Sequence, residues 1–102
     1  MTARRGMIYT IHHPDPETLL VVSGNMYNGL VDHPWVLAMT IIDTPRGAAP
    51  PFFVSVASGR CVEVDTLARY PKRLLRPVDG PGVAIQILTD IDNAVFKILA
   101  TH

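Results

Sequence analysis

The residues most able to do proton chemistry stand together near the N-terminus. His12 and His13 are adjacent, and Asp15 and Glu17 follow within HHPDPET. An imidazole exchanges its proton near neutral pH, and a carboxylate can serve as a base. Neighbours on a strand point to opposite faces, so His12 and His13 cannot jointly hold one metal ion as a His-x-His pair could. No cysteine or acid cluster with zinc spacing accompanies them, and no metal site is expected. A solvated pair at a hairpin end is the simpler reading, and both readings stay open at this point.

A second candidate lies downstream. Arg69, Lys72, Arg73 and Arg76 form the densest basic run, with Tyr70 and Pro71 inside it. Phosphates need cations and bases stack on rings, so the run suits a single-stranded nucleic acid. It equally suits an edge strand, where positive charge discourages pairing with another chain. Thr40 ends VLAMT, where a threonine is often a plain strand former. Arg46 and Gly47 sit in the following loop, and Cys61 reads most simply as a small core residue. No Ser-His-Asp set, P-loop or dinucleotide fingerprint is present, so no cofactor is expected.

Short strands must position these groups. Met7 to His12 is rich in strand formers, and Pro14 and Pro16 end it. Thr18 to Ser23 is a continuous apolar run that reads as a strand buried on both faces. Turn residues from Gly24 to Pro34 predict a long surface connection. Trp35 to Ile42 is a third strand, and Asp43 to Pro51 is a Pro/Gly/Ala loop. Phe52 to Val56 and Arg60 to Asp65 read as a hairpin across Ser58-Gly59. Arg73 to Val78 reads as a short edge strand, and Asp79 to Gly82 as a break. Ile87, Leu88, Ile91, Val95, Ile98 and Leu99 keep helical spacing, with Asp90, Asp92, Asn93 and Lys97 off that face. Strands followed by one helix predict a mainly β domain, a strongly bent antiparallel sheet or small barrel with a C-terminal helix.

Composition bounds the rest. The 102 residues are 48% hydrophobic, enough for a single domain spanning 1–102 with one core. A chain this short leaves much surface exposed, which favours an oligomer. Nine Lys and Arg balance nine Asp and Glu, so a nucleic-acid site has to be a local patch. One cysteine excludes an internal disulfide and suits a reducing, cytoplasmic setting. MTARRG lacks the apolar segment of a secretory signal, and no apolar run reaches bilayer length.

In order and spacing these pieces resemble the MazF/PemK/Kid family of toxins from bacterial toxin–antitoxin pairs. Arg4-Arg5-Gly6 before MIYTI matches the family opening. LLVVSGNMYN matches its apolar strand and polar turn, and VLAMT its third strand ending in threonine. Thr44-Pro45-Arg46-Gly47 matches the Thr-x-Arg-Gly element of short-loop members. VEVDTLARYPKRLL supplies Asp65, Leu67, Arg73 and Leu74, and IDNAVFKIL matches the terminal helix. The resemblance covers nearly the whole chain. It implies an SH3-like, strongly curved barrel, a homodimer, and an antitoxin peptide lying in the substrate groove. It also implies metal-independent cleavage of single-stranded RNA by attack of a ribose 2′-OH on the adjacent phosphate.

One departure bears on that chemistry. The family carries a catalytic arginine just before the proline that opens its second strand. Glu17 stands at the arginine position and Thr18 at the proline position. A carboxylate there repels a phosphate. The roles the resemblance implies are then redistributed. Arg46 becomes the cation, His12 or His13 the acid or base, and Glu17 a base. Thr40 orients the phosphate, and Asp65 resembles the acid some members use. Arg69, Tyr70, Lys72 and Arg73 are the expected RNA contacts. Two functions remain: an endoribonuclease toxin, or a catalytically degenerate module of the same fold that binds a protein or nucleic acid.

Overall fold

The computed structural model describes residues 3–12 and 14–100. Six strands form one antiparallel sheet. They are β1 (Ile8–Ile11), β2 (Glu17–Val21), β3 (Trp35–Asp43), β4 (Phe53–Ala57), β5 (Arg60–Pro71) and β6 (Arg76–Pro77). Their spatial order is β4-β5-β3-β2-β1-β6. A short helix α1 (Asn25–Asn28) lies between β2 and β3, and α2 (Ile85–Ala100) ends the chain.

Both faces of the sheet are covered, which explains the continuous apolar runs in β2 and β3. Leu19, Val21, Val36 and Ala38 join Tyr9, Ile11 and Leu75 in one cluster. Leu20, Met39, Ile41, Val54, Val62 and Val64 pack with Ile91 and Ala94 of α2 on the other side. Alternation along each strand sends odd and even positions to different clusters.

The observed sheet differs from the expected barrel. The described strands leave β4 and β6 as its two edges, and no pairing between them closes it. β6 is only two residues long and includes Pro77, which has no N–H to offer a ladder. The turn-rich stretch after Gly24 also holds structure that its composition hides. Asn28 is buried and donates from Nδ2 to the Ser23 carbonyl at 2.9 Å, and Leu37 N–H donates to Ser23 Oγ at 3.0 Å. Those bonds fasten α1 to the start of β3.

The opening Arg-Gly pair is a structural clamp. The Arg5 backbone N–H donates to Asn25 Oδ1 at 2.8 Å, and its guanidinium bonds the Val22 carbonyl and, at 2.8 Å, Asp92 of α2. Gly82, at φ +78°, lets Val83 N–H reach the Gly6 carbonyl at 2.9 Å. A side chain at Gly82 would collide with that carbonyl oxygen. The approach brings α2 back against the strand ends.

Candidate active site

The site forms where the β1–β2 connection meets the end of β3. Glu17 is the first residue of β2 and pairs with Ile11. Thr40 pairs with Leu19 on one side and Glu63 on the other. Strand alternation therefore sets Glu17, Thr40 and Glu63 on one face, the face of Leu19 and Val36. Directly opposite residues bring their Cβ atoms within roughly 4.5–5.5 Å. Thr40 thus has a carboxylate neighbour from each adjoining strand, directly across on β5 and diagonally on β2.

Tyr70 reaches the same place through an irregularity in β5. Ala38 pairs with Ala68 and Thr40 with Glu63, so six residues of β5 span the length of three on β3. The surplus reverses the alternation of β5. Glu63 and Tyr70 then share a face although one position is odd and the other even. Thr66 holds the bulge. Its hydroxyl donates to the Glu63 carbonyl at 2.6 Å and accepts the Thr40 N–H at 2.9 Å.

The Tyr70 phenol lies above the ordinary tyrosine pKa. Burial is the main cause and the Glu17 carboxylate adds to it, while a hydrogen bond with the Thr40 side chain offsets part. At neutral pH Tyr70 is a neutral hydroxyl within the influence of both Thr40 and Glu17.

A cleft of about 290 Å³ opens beside these groups, lined by Thr10, His12, Glu17, Thr18 and Thr40 among others. His12 is exposed on its rim. His13 lies outside the described residues. Asp65 is exposed within the bulge, next to the Thr66 that holds the Thr40 backbone. Arg46 is exposed on the β3–β4 loop, does not line the cleft, and makes no ion pair among the described residues.

The basic run is divided. Tyr70 faces Thr40, whereas Arg69 pairs with Leu37 on the opposite face and stacks over Trp35, 4.4 Å from the ring centre. Lys72 and Arg73 lie beyond the strand end. Sequence reasoning grouped Tyr70 with those cations and passed over Glu63 and Thr66. The signal for Tyr70 is the odd length of the bulge, which no local pattern displays. Among the described residues no group of three or more His, Cys, Asp or Glu could hold a metal ion. No helix among them is long and apolar enough to cross a membrane.

The fold is similar to that of solved MazF structures over nearly the whole chain. The MazE–MazF complex of Deinococcus radiodurans is similar at a TM-score of 0.80 and 16% identity, over 100% of this chain and 99% of that one. An endoribonuclease in complex with its cognate antitoxin from a mycobacterial species is similar at 0.80 and 22%, over 98% and 97%. MazF of Deinococcus radiodurans alone is similar at 0.79 and 16%, over 99% of each chain. No protein-family model and no curated protein matches the sequence.

Proposed function

We propose that the protein belongs to the MazF/PemK/Kid family and is the toxin of a toxin–antitoxin pair, acting as an endoribonuclease on single-stranded RNA. The observation that carries this reading is the convergence of Glu17, Thr40 and Tyr70 beside an open cleft in a MazF-like fold. Glu17 takes the proton of a ribose 2′-OH. The oxygen attacks the adjacent phosphorus, and the bond to the 5′-oxygen of the next nucleotide breaks. His12 returns a proton to that oxygen, leaving a 2′,3′-cyclic phosphate and a 5′-hydroxyl. Thr40 and the neutral Tyr70 hydroxyl donate to the phosphate oxygens. Arg46 supplies the cation from its loop, and Asp65 acts from the bulge. The protein is a cytoplasmic homodimer, and an antitoxin peptide occupies the cleft.

A second reading, a binding module without cleavage, is favoured by one observation. The cleft lining includes a carboxylate but no lysine or arginine. Cleavage of a long unstructured RNA in EDTA decides between the two. Wild type is expected to cut weakly, because one missing charge-stabilising donor costs about 10²–10³ in rate. Glu17→Arg separates two roles for that position. Faster cutting makes Glu17 a displaced arginine site, and slower cutting makes it the base. If wild type and Glu17→Arg are both silent while folded, the toxin reading gives way to the binding module.

A further inference from the structure

At the opposite end of β3 from the Glu17 cleft lies a second cleft, of about 360 Å³. Its lining includes His33, Trp35, Lys72 and Arg73, with Val31, Pro34 and Pro71 as its apolar walls. Trp35 and Thr40 are five positions apart, about 17 Å along the strand. Their side chains also project from opposite faces, so the two clefts are separate.

None of the cations here has an acidic partner among the described residues. Arg5 pairs with Asp92 and Arg60 with Asp43, both away from this cleft. Arg69 is stacked on the Trp35 ring instead. The Lys72 ammonium donates to the Leu30 carbonyl at 3.3 Å, which leaves two of its three N–H groups for another acceptor. Arg73 is exposed, and Arg76 uses its guanidinium on the Arg73 and Leu75 carbonyls. Asp32, on the neighbouring loop, is exposed and pairs with none of them. In a chain with nine charges of each sign, this is a local positive surface built around an aromatic ring.

We infer that this cleft binds single-stranded RNA outside the cleaved step, Lys72 and Arg73 holding phosphates and Trp35 offering a base-stacking surface. The inference rests on the proposed nuclease reading for its substrate class, though not on cleavage itself. An acidic peptide would satisfy the cations alone. A strand of RNA uses the cations and the ring together. A stacked strand rises about 3.4 Å per nucleotide, so at least about five nucleotides are needed to reach both clefts.

Trp35 is the chain's single tryptophan, so its fluorescence reports on this cleft alone. The probe is a 2′-O-methyl oligouridylate of about twelve nucleotides, within the range of known single-strand sites. Its capped 2′-oxygen cannot attack. Titration into the full chain should quench Trp35 saturably, and added salt should weaken binding. Arg73→Ala, at an exposed position, should weaken binding about tenfold and reduce the salt slope by about 0.7. No quenching, quenching that Arg73→Ala leaves intact, or equal quenching by polyglutamate would overturn the inference, the last outcome in favour of an acidic protein partner. Quenching without cleavage of unmodified RNA would sink the nuclease reading and leave this site standing. Cleavage without quenching would do the reverse.

Discussion

Glu17 is the residue on which the chemistry turns. It opens β2 at the rim of the cleft, where the family resemblance calls for an arginine. It also acts on its neighbour, since its charge helps hold the Tyr70 phenol above the usual tyrosine value. A tyrosine whose folded-state pKa is raised contributes stability below its unfolded value near 10. That contribution fades as pH climbs through the folded-state value. Urea midpoints should therefore fall above pH ~10 in the wild type, and fall less in Tyr70→Phe. Glu17→Gln removes one of the causes and should move Tyr70 ionisation back towards the ordinary range, read by near-ultraviolet difference absorbance. The cation assignment has its own check. Arg46→Ala should slow RNA cleavage by about 10²-fold if its guanidinium meets the phosphate, and change nothing if it stays in solvent.

The elements differ in how plainly the sequence announces them. β2 and β3 are legible because their apolar runs are largely buried on both sheet faces. α2 is legible from the spacing of Leu88, Ile91, Val95 and Ile98, and the expected 87–99 falls within Ile85–Ala100. β5 is legible only to Asp65. Beyond it, TLARYP mixes charge, turn and apolar residues, and the strand persists to Pro71 because β3 offers a ladder to pair with. The site follows the same division. Thr40 and Glu17 can be placed from β3 and β2, whereas Tyr70 depends on a bulge whose length only the register reveals. Thr66 is the test of that bulge. Thr66→Val strands the Thr40 N–H and the Glu63 carbonyl, and should cost about 1–3 kcal/mol by urea unfolding. Thr66→Ser keeps the hydroxyl and should lie near wild type.

At the scale of the whole molecule, the unanswered surface is on α2. Ile85, Phe96 and Leu99 are exposed at 82%, 71% and 79%, and Phe52 at 54%. Single exposed apolar side chains are ordinary, yet two large ones one helical turn apart near a C-terminus suit an interface. The proposed homodimer is expected to cover Phe96 and Leu99. Light scattering at tens of micromolar, a range that detects ordinary interfaces, should give twice the chain mass. Phe96→Asp should halve it without unfolding the chain, since Phe96 is outside both buried clusters. A monomeric wild type would refute the assembly and leave the cleft chemistry to be tested as a monomer's.

The surplus of residues in β5 also makes strand length a form of information. Glu63 and Tyr70 are seven positions apart, and they point the same way only because an odd number of residues is absorbed between them. With the bulge kept at its length, loss of one residue from Val64–Leu67 would carry Tyr70 to the position opposite Leu37, on the α2 side, and bring Arg69 opposite Ala38 on the cleft face. The phenol would leave Thr40, and a guanidinium would take up the vacancy beside Glu17. Loss of two would restore the original phase. Descendants of this chain are thus sorted by parity: a single deletion exchanges a neutral donor for a positive charge at the cleft, without any change in the residues that line it.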